Sequence, residues 1–395
     1  MRPSAPVRRR LLKFGTAALC ALPALALPRL GQAAPALSPT SASTPPGPRT
    51  EAGALAVTQL LDMSPAQQEL SRDYSTGIRL AFAELRQNKE FAPALRTIET
   101  DGRAESVRQA IALVRDDASQ VALVGAVGED LALASLAESA RSGLDLAHIA
   151  PWLADGQFDS DERLIALFAS REEQVRVVLH NLATVGVAEL AVVYPSLARQ
   201  AALQAGTEAT AQRLGLQQRS LTAPPGMPMA AFGAGLPRSL PAFVLFMGGS
   251  IELAQFTVGL AQAGLQRYVI CLSDVDPATF GQLHPGKGVP VIFTQVVPNP
   301  RSGSVPVVRA YRAALERFFD EAPSPVSLAG YLAGRYTAAV LAPLGANASR
   351  TRVTAALRRR PAADLDGYRL AFSGASRASN FVAQTLLNAR GVLVS

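Results

Sequence analysis

The chain is poor in the residues that carry most catalytic and metal chemistry. Its 395 residues include three histidines (His148, His180 and His284), two cysteines and one tryptophan. No two histidines stand at metal-ligand spacing, and no H-E-x-x-H, C-x-x-C or G-x-S-x-G pattern occurs. No catalytic residue, metal site or cofactor is therefore expected; only a Ser-His-acid set assembled from distant positions stays open. Cysteine is scarcer than the count suggests. Cys20 lies in an N-terminal apolar run, where bulky Leu19 before it argues against a lipid anchor. Cys271 is then alone and cannot form an internal disulfide. Its setting, YVICL, predicts a buried structural thiol.

Acidic residues are absent from residues 1–33, which hold Arg2, Arg8, Arg9, Arg10, Lys13 and Arg29. Of the net +7, the remainder of the chain thus carries +7 − 6 = +1. A near-neutral body gives no footing for a nucleic-acid partner. The run Arg8-Arg9-Arg10-Leu11-Leu12-Lys13 resembles a twin-arginine export motif. The apolar stretch Phe14 to Pro28 is too short to span a membrane and is broken by Pro23. Gly31-Gln32-Ala33 offers small residues for cleavage. Residues 1–33 are expected to be a signal peptide that delivers the chain to the periplasm by the twin-arginine route, with the general secretory route as the alternative. Residues 34–51, rich in Pro, Ser and Thr, read as a disordered spacer.

Beyond residue 51, strand and helix patterns alternate. Strand-like runs fall at Leu55–Leu61, Leu95–Thr100, Val121–Val124, Asp145–Ala150, Arg163–Ala169, Glu189–Tyr194, Ala242–Met247, Tyr268–Leu272 and Val289–Val297. Helical spacing marks Ser71–Asn88, Glu105–Asp116, the residues from Asp130, Glu172–Val185, Ser196–Leu214, Ser250–Ala263, Val305–Asp320, Ser327–Leu344 and Arg350–Arg359. Thr222–Pro241 reads as a long connection. Tyr368–Phe372 and Asn380–Leu387 are strand-like and close the chain. Short, wholly apolar strands suit parallel sheets buried on both faces. The expectation is an α/β fold with two doubly wound domains. In such folds ligands sit at turns that follow strands, so QVALVGAVGEDLA (residues 120–132) is the first place to look.

Two glycine-rich motifs carry no such promise. Gly281-Gln282-Leu283-His284-Pro285-Gly286-Lys287-Gly288 nearly matches a phosphate-binding loop, but glycine stands where the Mg²⁺-binding hydroxyl belongs and a strand follows instead of a helix. It reads as a plain turn. Gly233-Ala234-Gly235 lacks a preceding strand and has Pro237 after it, so no dinucleotide turn is expected.

Several passages, in order, resemble one family. They are Arg72-Asp73-Tyr74 with Gly77 and Leu80-Ala81-Phe82; Leu123-Val124-Gly125-Ala126-Val127-Gly128; Ala169-Ser170 with Glu173; VIFTQVVPNP with Tyr311; and Ser327-Leu328-Ala329-Gly330-Tyr331. Together they are similar to type I periplasmic substrate-binding proteins of the branched-chain amino-acid/amide (leucine-binding-like) group, which serve ABC importers. The resemblance covers roughly residues 52–395. It implies two parallel-sheet lobes, residues 52–168 plus 298–373 and 169–297 plus 374–395, joined by about three crossings. It also implies a small-molecule ligand (an amino acid, amide or related compound) in the cleft, hinge closure, and an ABC permease as partner, with no enzyme activity. The residues it places at the cleft are Gly128, Glu129, Asp130, Trp152, Ala154, Ser170, Tyr194, Ser250 and Asp274. Family members hold an amino-acid carboxylate with hydroxyls and N–H groups at the turns after Gly128 and Pro151. Here those turns carry Glu129-Asp130 and Trp152-Leu153-Ala154, which predicts helix-capping acids or a ligand that is cationic or lacks an α-carboxylate. An alternative expectation is a periplasmic interaction or sensor protein that kept the scaffold and lost the amino-acid site.

Overall fold

The computed structural model describes residues 55–345, 348–373, 376–387 and 393–394. The expected signal peptide and spacer lie outside the described residues, as do 374–375 within the third expected crossing.

The first sheet is wholly parallel, in the order β2-β1-β3-β4-β5. Its strands are β1 (Ala56–Asp62), β2 (Ala94–Thr100), β3 (Gln120–Val124), β4 (Ala147–Ile149) and β5 (Leu164–Ile165). The helices α1 (Gln68–Gln87), α2 (Ala104–Asp116) and α3 (Glu129–Arg141) join the first four. β1 and β3 are buried along their whole length, as double-faced burial requires.

The second sheet follows α4 (Arg171–Thr184). It contains β6 (Glu189–Tyr194), β7 (Gln217–Thr222), β8 (Phe243–Phe246), β9 (Tyr268–Cys271) and β10 (Val291–Gln295). Between them run α5 (Leu197–Arg213), α6 (Met229–Ala234), α7 (Ser250–Gln262) and α8 (Pro277–Gln282). The chain then returns to the first lobe as α9 (Pro306–Phe318), α10 (Pro325–Leu341), α11 (Arg350–Arg358) and the hairpin β11 (Ala363–Leu365) and β12 (Tyr368–Leu370). Last, β13 (Ala383–Leu387) and β14 (Leu393–Val394) extend the second sheet, giving the order β14-β13-β10-β9-β8-β6-β7. β13 runs antiparallel to β10, so this sheet is parallel only from β7 to β10.

The tightest junction is α1 against α10. A Cβ on Gly77 would collide with the carbonyl of Ser327, and one on Gly330 with the carbonyl of Tyr74. Two glycines facing each other let the backbones touch, and the flanking Tyr74, Tyr311 and Tyr331 are fully buried around them. The stretch 222–241, expected as a long connection, holds the end of β7 and the short helix α6, and the start of the expected plain turn at 281–288 belongs to α8 (residues 277–282). Of the P-loop-like glycines, Gly286 proves structural: its N–H donates to Thr257 Oγ1 at 3.1 Å, and a Cβ there would strike the Thr257 carbonyl. Gly233 serves likewise, packing against the backbone of α7 at Phe256.

Candidate functional site

The turn after β3 is shaped by glycine. Gly125 and Gly128 both have positive φ (+62° and +92°), and a Cβ on Gly125 would meet Tyr74 and Ile78. The neighbouring turn after β4 holds Ala150 at φ +49°, a left-handed conformation that L residues avoid. It is fixed from two sides. Its N–H donates to the Ile165 carbonyl at 2.8 Å, and its carbonyl accepts from the Tyr74 hydroxyl at 2.8 Å. This strained residue aims Trp152. The Trp152 N–H then donates to the Ala126 carbonyl, and Gly128 N–H to the Trp152 carbonyl, tying the two turns together. The indole packs at 5.5 Å from Phe168 and 5.9 Å from Tyr74, leaving one part of it on the cleft.

Between these turns and the second lobe lies a cavity of about 340 Å³. Gly128, Glu129, Asp130, Trp152, Ala154 and Asp274 line it, together with Asp62, Gln67, Phe168, Arg199 and Gly249. Three expected residues stand elsewhere. Ser170 caps α4, its Oγ accepting from Glu173 N–H. Tyr194 is fully buried, and its hydroxyl shares a 2.8 Å hydrogen bond with Thr207. Ser250 opens α7 and its Oγ accepts from Asp276 N–H at 3.2 Å.

The sequence reading missed Arg171, and the site is organised around it. Its side chain is only 4% exposed. Its guanidinium pairs with Glu129 of the first lobe and, at 3.2 Å, with Asp274 of the second. Its backbone N–H donates to the Ala154 carbonyl at 2.8 Å. Arg199 approaches the other oxygen of Glu129 at 3.6 Å. Burial alone would weaken the charge on Arg171, but Asp274 and Glu129 together outweigh it and push its pKa above the ordinary arginine value. Burial, and then the charge of Asp274, raise the Glu129 carboxyl, while Arg171 and Arg199 oppose them. Asp274 is held in turn, because fully buried Gln174 accepts from the Ser273 N–H at 2.9 Å. One signal for Arg171 did exist. It sits in the first turn of a helix, where the dipole disfavours a cation, so a stronger partner had to be near.

A second buried arginine stitches the floor. Arg377 donates to the carbonyls of Leu153, Ala154, Asp155 and Phe168 and pairs with Asp159 at 2.8 Å. Both the Ala154 turn and the crossing at Phe168 therefore depend on one side chain from near the C-terminus. His148 is buried between Ser135 and Ser139, away from the cavity lining, and His180 and His284 are exposed. Among the described residues, no group of three or more His, Cys, Asp or Glu is arranged to hold a metal ion.

Two parallel-sheet lobes that face each other across such a cavity define a type I binding-protein fold. The chain belongs to the periplasmic binding protein family, whose profile matches residues 55–384. An extracellular ligand-binding receptor from Verminephrobacter eiseniae superposes with a TM-score of 0.76 at 17% identity, over 87% of this chain and 100% of that one. A possible leucine/isoleucine/valine-binding protein from Rhodopirellula baltica gives 0.72 at 20% identity, over 88% and 98%. A fatty acid ABC transporter substrate-binding protein from Thermomonospora curvata gives 0.71 at 14% identity, over 88% and 93%. Among curated proteins the sequence has no match.

Proposed function

We propose that the protein captures a small molecule between its lobes and presents it to an ABC permease, without making or breaking a bond. The observation that carries this reading is the cavity itself, walled by the β3 and β4 turns on one side and by Arg199, Gly249 and Asp274 on the other. Solved neighbours named for branched-chain amino acids and for fatty acid share the fold, so the ligand must be argued from the lining. Arg171 pairs with both Glu129 and Asp274, so its single positive charge offsets one of the two carboxylates. The lining also carries Asp62, Asp130 and the loosely held Arg199, and acid predominates. Carboxylates in a half-closed cleft repel an anion more strongly than they would in water. The reading is therefore a ligand without a free α-carboxylate: an amide, an amine or a related compound. Closure is a hinge motion at the crossings near Phe168, Val297 and residues 373–379, between lobes of residues 52–168 plus 298–373 and 169–297 plus 374–395. The leader of residues 1–33 fits twin-arginine export to the periplasm.

The test is a solute screen of amino acids, amides, amines and small organic acids. A true ligand raises the melting temperature by mass action, equivalent to about 2.7 kcal/mol at one hundred times Kd. It also changes the emission of Trp152, the one tryptophan. A screen that leaves both signals flat across amides and amines, or that selects an α-amino acid, overturns this choice of ligand.

A further inference from the structure

Arg171 pairs with Glu129 between the lobes and with Asp274 within the second. Glu129 begins α3 on the first sheet, Asp274 follows β9 on the second, and Arg171 begins α4 just past the crossing at Phe168. The guanidinium thus lies between one carboxylate from each side of the cleft, almost wholly shielded from water. Two carboxylates facing each other across a closing gap repel, and each would lose solvation on closure. A cation between them turns that repulsion into attraction. Here the chain supplies that cation itself.

We propose that Arg171 is an internal counter-ion that latches the lobes together without ligand and decides specificity by occupying the place between Glu129 and Asp274 that a ligand's ammonium or guanidinium group would take. The specificity half rests on the solute-binding reading above; the latch half does not. Three features support the assignment beyond the pairs themselves. The Arg171 N–H is anchored across the cleft on the Ala154 carbonyl. Gln174, one helical turn along α4, fixes the Asp274 turn through Ser273 N–H. The guanidinium fork reaches Asp274 through both Nε and Nη2 (3.4 and 3.2 Å), a geometry that lysine cannot reproduce.

Small-angle scattering on the ligand-free protein reads the latch directly. Arg171→Ala should raise the radius of gyration by roughly 1 Å or more as the lobes part. Arg171→Lys, which keeps the charge but loses the fork, should fall between alanine and wild type. Methylguanidinium at millimolar concentration should restore the compact form of Arg171→Ala and raise its melting temperature. It should bind wild type at least tenfold more weakly, because the place is taken. If Arg171→Ala does not fold, Glu129→Gln gives the same reading, since it frees the first lobe while leaving the pair with Asp274. The latch is overturned if the folded variant stays as compact as wild type. The specificity claim is overturned if Arg171→Ala opens but methylguanidinium acts equally on both proteins. None of these measurements uses a transported solute, so an unsuccessful solute screen leaves them standing.

Discussion

Asp73, on α1, lines a second crevice of about 270 Å³ with Glu69, Asp276 and Glu321. Burial pushes its carboxyl up to about 7; the hydrogen bond from Ser324 pulls the other way, and the charges of Asp276, Glu321 and Glu69 add to the rise. The folded chain therefore holds this proton more tightly than the unfolded chain. Its contribution to stability is full below the ordinary value of 3.8 and is lost as pH climbs to about 7. His148 has the opposite sign. Burial, then Arg163, push its imidazole down to about 3, with Asp161 opposing, so the folded chain refuses a proton that the unfolded chain takes near 6.5. That contribution is present above 6.5 and is lost as pH falls towards 3. Between about pH 4 and 6.5 the two slopes largely cancel. Urea unfolding of Asp73→Asn at pH 4.5, 6 and 8 should show a stability that rises with pH, and at pH 8 a gain of roughly 2 kcal/mol over wild type. A variant curve that merely parallels wild type would remove Asp73 from this account.

At the scale of elements, the sequence was most legible where burial is two-sided. The apolar runs of β3, β6 and β9 announce themselves because both faces need Val, Leu and Ile. β7 was missed because it is an edge strand, paired only with β6, and its residues (QQRSLT) stay polar. α8 was missed although Asp276 caps it and Pro277 opens it; six residues are too few for a helical period to emerge. The α1–α10 junction was visible as two glycine-bearing passages, but not as one contact, since 253 positions separate Gly77 from Gly330. That contact makes a sharp prediction. Gly77→Ala or Gly330→Ala forces a methyl into a facing carbonyl and should destabilise the first lobe by about 3 kcal/mol or more. A loss under about 0.5 kcal/mol in thermal or urea unfolding would mean that the helices can separate at little cost, contrary to the packing described. At the cleft, Glu129 and Asp274 were legible because turns after parallel strands have known places. Arg171 and Arg377 were not, because what matters about them is partners 42 to 224 residues away.

For the whole molecule, the fold shows how lobes made of discontinuous chain are held in register. Arg377→Ala would leave the carbonyls of Leu153, Asp155 and Phe168 without this donor, that of Ala154 with the Arg171 N–H alone, and Asp159 without its cation, at a cost of roughly 3–5 kcal/mol concentrated at the cleft floor. Hydrogen exchange should show protection lost around residues 153–169 while β6 to β9 keep theirs; uniform loss across both sheets would argue against so local a role.

The same side chain also sets an order of events. Leu153, Ala154, Asp155 and Phe168 are made more than two hundred residues before the arginine that satisfies their carbonyls. A chain emerging from its ribosome can complete the first three strands of the opening sheet, and later the whole run from β6 to β10, while this patch of backbone still waits for a donor. The cleft floor thus matures late, and a nascent chain that stops short of Arg377 has the strands β1 to β10 but neither β13 nor a finished floor.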